Sequence, residues 1–283
     1  MNRTCDLHSH STFSDGTLTP TELVRLAERQ GLSALALTDH NTSMGLKEFM
    51  EAGKNSEVIT VPGCEFTTEW NGKEIHIVGL FFKEEYWKEI EDFLELFHMA
   101  KINSNLNLIK NLNDAGYEMT VEEVASLCEG TFNRSHVARV LAEKGYVSSI
   151  GEAFDTLLKE GNGFYVPAKR MGPAAVINFI KVYGAAAIMA HPFLSLSLEE
   201  LERFLPEMKE AGLDAIETRY SEFDENTTRI ATDLAEKYGL GQSGGSDFHG
   251  LTKPDISLGT GRGDLIVPFE FYEKMRQCAP SYE

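Results

Sequence analysis

Ser33-Ala34-Leu35-Ala36-Leu37-Thr38-Asp39-His40 is a short apolar run that ends abruptly on three polar residues. Its length and unbroken apolar character are those of a buried strand. The polar tail then falls at the strand's C-terminus, the end at which (β/α) barrels build their active sites. The residues before it read as a helix. Thr19 can cap it, Pro20 suits its first position, Glu22 completes a capping box and Gly31 ends it. Strands of similar kind are expected at residues 4–8, 58–65, 75–81, 186–190, 214–217 and 241–246, and helices at 173–183, 198–211 and 225–238. Strand and helix in alternation predict parallel pairing and a barrel or doubly wound sheet.

One stretch breaks the alternation. Between about residues 98 and 163 every periodic segment looks helical, at 100–115, 120–128, 135–144 and 148–159. The organisation predicted is a barrel in two parts, 1–98 and 166–283, with a helical insertion over 99–165 folded across its mouth. A chain of 283 residues has room for both. No apolar run approaches the ~18 residues of a membrane span. The start, Met1-Asn2-Arg3-Thr4-Cys5, runs directly into a polar strand and lacks the character of a signal peptide. Cys5, Cys64, Cys128 and Cys278 are widely spaced, so buried free thiols in a reducing cytoplasm are expected. The net charge of −18 argues against a binder of duplex nucleic acid, which needs a basic surface for the phosphates. Any phosphate ligand must be met by bound metal and a few local cations.

Histidine supplies the chemistry. Six of the eight histidines, His8, His10, His40, His76, His191 and His249, lie in short segments that mostly also hold an acid. His8 and His10 are two residues apart at the end of a strand, where side chains alternate and both can reach one ion. His40, Glu65, His191 and Asp247 are expected at other strand ends, His76 within a strand, and Asp15 and His249 on loops. Imidazole and carboxylate converging from so many strand ends predict a metal site. Asp6 and Asp39, which flank ligands, are candidates to orient a metal-bound histidine from behind. His98 is expected on a helix and solvated.

The runs Asp6-Leu7-His8-Ser9-His10-Ser11 with Ser14-Asp15-Gly16, Thr38-Asp39-His40-Asn41-Thr42, Ala190-His191-Pro192 and Ser246-Asp247-Phe248-His249 closely resemble the four motifs of the PHP (polymerase and histidinol phosphatase) family. The resemblance implies a distorted (β/α)7 TIM-like barrel holding two or three divalent ions, Mn, Zn or Fe, and hydrolysis of phosphate esters. It further implies that His8, His10, Glu65 and Asp247 hold a first metal, that Glu65 bridges to a second completed by His76 and His191, and that Asp15, His40 and His249 hold a third. The attacking group would be a metal-bridging hydroxide, with no side-chain base assigned.

Asn133-Arg134-Ser135-His136 precedes a helix in the insertion and is similar to the Arg-x-His segment of the nucleotide-phosphatase and 5'-to-3' exoribonuclease branch. Arg134, Ser135 and His136 are therefore candidate phosphate contacts, with Lys169, Arg170 and Arg219 as further ones. Two departures from that branch stand out. His191-Pro192 is followed by Phe193-Leu194 where an Arg is common, and Glu217-Thr218-Arg219-Tyr220-Ser221 replaces a Glu-x-Tyr-His-Ser pattern. The substrate expected is a small phosphorylated metabolite, a nucleotide such as a 3',5'-bisphosphate, or a short oligonucleotide end. Histidinol phosphate is the enzymatic alternative, and a non-catalytic metal-binding module the alternative of another class. Gly241-Gln242-Ser243-Gly244-Gly245 matches the serine-hydrolase elbow, but the helix such an elbow needs is not expected after it. Gly259-Thr260-Gly261-Arg262-Gly263 lacks a phosphate-loop lysine, and Arg262-Gly263-Asp264 is a chance tripeptide.

Overall fold

A computed structural model describes residues 3–127, 134–159, 161–168 and 170–282. They divide into two compact units, Met1–Glu91 with Met171–Glu283, and Asp92–Arg170.

In the first unit, β1 (Cys5–Asp6), α1 (Pro20–Gln30), β2 (Ala34–Leu37), α2 (Leu46–Gly53), β3 (Ile59–Trp70) and β4 (Lys73–Leu80) follow in order, and α3 (Trp87–Asp114) begins there. The seven strands form one sheet in chain order. The pairs β1–β2 and β2–β3 are parallel, but β3–β4 is antiparallel. This corrects the expectation of parallel pairing throughout. The cause is local: Asn71-Gly72 joins Trp70 to its partner Lys73 with φ of 50° and 77°, the positive values that a tight two-residue hairpin turn requires. The hairpin also carries β3 past Glu65, which lies within the strand and not at its end.

After the second unit the barrel resumes with α7 (Pro173–Val182), β5 (Ala186–Met189), α8 (Pro192–Ser195), α9 (Leu198–Glu210), β6 (Ala215–Tyr220), α10 (Glu225–Lys237), β7 (Gly241–Gly245) and α11 (Phe269–Gln277). β5 pairs antiparallel with β4, then parallel pairing returns through β6 to β7. The ends of the sheet meet. Leu7 donates its N–H to Gly244 O at 3.1 Å, Asp247 donates to His8 O at 2.9 Å, and Ser9 bridges Phe248 in parallel sense. The result is a distorted seven-stranded TIM-like barrel.

Its packing follows from the apolar pattern. α1 is capped as its sequence predicts, with Thr19 and Glu22 completing a reciprocal capping box and Gly31 left-handed at the end. Leu23, Val24 and Ala27 then face Leu35, Leu37 and Phe49 in one cluster. Each large side chain buried here contributes about 1.5–3 kcal/mol. Cys5 and Cys64 are buried free thiols, whereas Cys278 is only half-buried. Cys128 lies outside the described residues. Among the described residues no helix is long and apolar enough to cross a membrane.

The second unit is helical. α3 starts at Trp87 rather than near residue 100 and runs on into it, followed by α4 (Val121–Ala125), α5 (Arg134–Glu143) and α6 (Ile150–Thr156). Leu108, Leu112, Val124, Val137, Leu141, Ala153 and Leu158 make its core. His98 is exposed on α3.

Candidate metal centre

β1 ends at Asp6, and the chain continues extended so that His8 and His10 both point inward, their ring centroids 5.1 Å apart. Glu65, fully buried on β3, is the hub. Its Oε2 stands 3.1 Å from His8 Nε2, 3.3 Å from His10 Nε2 and 3.1 Å from His40 Nδ1. Its Oε1 stands 2.8 Å from His76 Nδ1 and 3.1 Å from His191 Nε2. Asp247 Oδ1 approaches His10 Nε2 at 3.1 Å, and Asp15 Oδ1 approaches His249 Nε2 at 3.2 Å.

All nine side chains expected from the sequence thus meet in the first unit. Their ligand atoms fall into three groups: His8, His10, Glu65 and Asp247; His10, Asp15, His40 and His249; and His40, Glu65 and His76. His191 stands outside these groups but against Glu65, its ring 5.2 Å from that of His76.

Many of these contacts are short without being hydrogen bonds. His8 Nε2, both ring nitrogens of His10, His40 Nδ1, His76 Nδ1, His191 Nδ1 and Glu65 Oε2 are buried with no hydrogen-bond partner. A buried polar atom left unpaired costs about 1–3 kcal/mol, and seven in one place are not an incidental defect. Lone pairs of imidazole and carboxylate aimed at common points are the donor set of a divalent cation. The residues present fit such ions.

Electrostatics agree. Burial would raise Glu65, but His8, His40 and His76 hold its carboxyl well below the usual range. Burial would lower His8, yet Glu65, Glu217 and Asp247 carry it well above the ordinary imidazole value. Burial likewise opposes His76, which Glu65 and Glu74 push up to about 10. In His40 burial wins, assisted by His10, and pulls the imidazole down to about 4 despite Glu65. Groups shifted in both directions within one cluster are the electrostatic pattern of a candidate functional site.

The backbone is strained at two of the cluster residues. His191 has φ 26° and Asp247 φ 56°, values that side-chain-bearing residues rarely adopt. Such conformations cost roughly 1–3 kcal/mol each and persist where the surroundings enforce them. Glu217 Oε2 accepts the N–H of His191 at 2.7 Å, and His8 O accepts that of Asp247 at 2.9 Å. Gly245 permits the close approach: a Cβ there would lie 2.4 Å from His8 Cβ.

The profile of the PHP domain matches residues 6–169, more than half the chain. The chain belongs to the PHP domain family. A 5'-3' exoribonuclease of Haemophilus influenzae is 33% identical over 88% of this chain and 91% of its own. A 3',5'-nucleoside bisphosphate phosphatase of Chromobacterium violaceum is 28% identical over 86% of each chain. The crystal structure of a protein from Bifidobacterium adolescentis, described as a metal-dependent phosphoesterase, superposes with a TM-score of 0.68 at 25% identity, covering 98% of this chain and 96% of that one. This PHP protein is accordingly a metal-dependent phosphoesterase.

Other sequence expectations fare differently. Asp6 and Asp39 do not touch a histidine ring. Asp6 accepts from Ser246 N at 2.9 Å, from Ser246 Oγ and from Gly259 N at 2.8 Å. Asp39 accepts from Ser11 N at 2.7 Å and from Ser11 Oγ and Ser14 Oγ, both at 2.6 Å. Both carboxylates brace loops that carry members of the cluster. The residue behind a histidine is instead Glu217, whose Oε1 lies 2.8 Å from His8 Nδ1. Arg219 does not join the cluster either; its guanidinium donates to Thr218 O at 3.1 Å and Thr232 Oγ1 at 3.3 Å, on the α10 side of the strand. In the second unit Arg134 begins α5, donates to Leu158 O at 3.2 Å and stacks 4.1 Å above the Tyr165 ring. Ser135 and His136 follow it on α5, and Arg170 closes the unit. Lys169 and Asn133 lie outside the described residues.

The sequence reading missed Tyr220 and Lys253, which donate to Asp247 Oδ2 at 2.9 and 2.7 Å. β6 carries a bulge between Glu217 and Arg219. In a regular strand, residues three apart face opposite ways. The extra residue turns Glu217 and Tyr220 to the same side.

Proposed function

We propose that this protein hydrolyses phosphate monoesters of nucleotides, of the 3',5'-bisphosphate kind, with short 5'-phosphorylated oligoribonucleotides as the related polymer substrate. The observation that carries the reading is the set of buried ring nitrogens around Glu65 that have no hydrogen-bond partner. The names of the Haemophilus and Chromobacterium relatives support the substrate class.

His8, His10, Glu65 and Asp247 form one ligand group, Glu65 with His76 and His191 a second, and Asp15, His40 and His249 a third. Divalent ions held there would supply Lewis acidity and a water nucleophile at neutral pH. The chain's own part is to hold the donors ready. With Nδ1–H of His8 directed at Glu217, the lone pair of its Nε2 faces inward. Tyr220 donates to Asp247 Oδ2, so that carboxylate keeps Oδ1 toward His10. No side chain is assigned as a general base. In this reading residues 1–98 and 166–283 are the barrel and residues 99–165 a helical insertion, and Arg134, Ser135, His136, Lys169 and Arg170 are candidate phosphate contacts. The buried thiols Cys5 and Cys64 suit action in a reducing cytoplasm.

The test is phosphate release from AMP, 3',5'-bisphosphonucleotides, 5'-phosphorylated oligoribonucleotides and histidinol phosphate, with manganese added and then chelated. Chelator-sensitive release from the nucleotides is the expected result. Turnover of histidinol phosphate alone would refute the nucleotide assignment, and turnover of nothing by metal-loaded protein would favour a binding module.

A further inference from the structure

We infer that Lys253 is the barrel's own cationic contact for the substrate phosphoryl group. The inference deepens the phosphoesterase reading and rests on it.

The loop from Asp247 to Lys253 is built to set these two side chains face to face. Asp247 turns the chain at φ 56° and Gly250 at φ 66°, where an added Cβ would lie 2.1 Å from Thr17 Oγ1. Leu251 N donates to that same Thr17 Oγ1 at 2.9 Å, and Thr252 Oγ1 donates to Asp15 O at 3.0 Å. The Lys253 N–H closes the turn onto Gly250 O at 3.1 Å, and Pro254 follows. One loop thus carries Asp247, His249 and Lys253 and is pinned to the loop that carries Asp15. The ammonium is positioned by the same bonds that position three members of the ligand cluster.

Its environment points to an anion. Lys253 Nζ lies 2.7 Å from Asp247 Oδ2, the oxygen turned away from the histidines. Asp247 is 5% exposed in its side chain and Lys253 40%, so the lysine side chain reaches solvent beside the cluster. An ammonium has three donors, and Asp247 takes one. Among the described residues, no other lysine or arginine ion-pairs with a member of the cluster. Arg219, a candidate phosphate contact in the sequence, spends its guanidinium on Thr218 and Thr232, and Arg262 pairs with Glu222. In a chain of net charge −18, a phosphate dianion needs such a local cation.

The experiment compares Lys253→Met and Lys253→Arg with the wild type by calorimetry, first with manganese alone and then with inorganic phosphate added to the manganese-loaded protein. The kinetics on the best ester are followed in parallel. Loss of one charge-assisted hydrogen bond predicts phosphate affinity and kcat/KM lower by roughly 10- to 100-fold in Lys253→Met. Manganese affinity should fall clearly less than phosphate affinity, since Tyr220 still donates to Asp247 Oδ2 and keeps that carboxylate oriented. Lys253→Arg should recover part of the loss. Manganese affinity falling in step with phosphate affinity would make Lys253 a mere brace for Asp247 and overturn the inference. Phosphate binding unchanged in Lys253→Met overturns it as well. Wild-type protein that binds manganese yet neither binds phosphate nor hydrolyses any ester overturns the parent reading, a distinct result.

Discussion

Glu217 Oε1 lies 2.8 Å from His8 Nδ1 while its Oε2 receives the backbone N–H of His191 at 2.7 Å, so one buried carboxylate on β6 orients two members of the cluster. Partners of this kind hold a ligand ring in one tautomer and one orientation, and their loss typically costs about 10- to 100-fold in metal affinity or activity. Glu217→Ala should therefore weaken manganese binding by that order while the far-ultraviolet circular dichroism stays that of the wild type. Unaltered affinity in calorimetry would show that His8 needs no such support.

Chelation should destabilise the fold as well as silence it. An ion that binds only the native state stabilises by about 2.7 kcal/mol at a hundred times its Kd. In a chain of this size that corresponds to a rise in Tm of roughly 5 °C or more. The comparison is differential scanning fluorimetry of chelated protein against the same protein resupplied with manganese. A Tm indifferent to metal would count against the clustered donors being ligands.

Gly245 is a steric prediction. A methyl there would stand 2.4 Å from His8 Cβ and 2.5 Å from His8 N, far inside contact distance. Gly245→Ala should cost about 1–3 kcal/mol in urea denaturation and should also weaken manganese binding, because the strand that must yield carries His8. Stability lost with metal affinity intact would mean that the strain is relieved elsewhere.

The thiols give a test that needs no metal. Burial pushes Cys64 well above its ordinary value, and burial with Asp6 does the same for Cys5. The thiolate is the reactive form, so at pH 8 neither should be alkylated until the barrel unfolds. Cys278, half-buried, should react first of the three. Peptide mapping after iodoacetamide treatment decides it. Rapid labelling of Cys64 in folded protein would contradict the packing around β3.

The hairpin at β3 and β4 marks the limit of reading by strand and helix alternation. Asn71-Gly72 is a strong turn signal in its own right, yet alternation alone suggested parallel pairing, and only the turn's φ values and the β3–β4 ladder display the antiparallel arrangement. The consequence reaches the site, since pairing across the hairpin sets His76 Nδ1 on β4 2.8 Å from Glu65 Oε1 on β3.

What the sequence determined by itself was the inventory: apolar strands ending in polar residues, a capped α1, a run of helices between about residues 98 and 163, and nine His, Asp and Glu side chains that the fold brings together. These are written locally, in periodicity, capping chemistry and side-chain type. The tertiary structure alone decided which groups stand behind the donors. Asp6 and Asp39, near cluster histidines in sequence, hold loops, while Glu217 is 209 residues from His8 and touches it. A bulge in β6 turns Tyr220 toward Asp247, and a left-handed turn at Gly250 brings Lys253 back to the same carboxylate. Side-chain direction after a bulge or a left-handed turn depends on a few backbone torsions, and here those elements are held by distant partners, β7 for the bulge and Thr17 with Asp15 for the turn, which no local stretch of the chain contains.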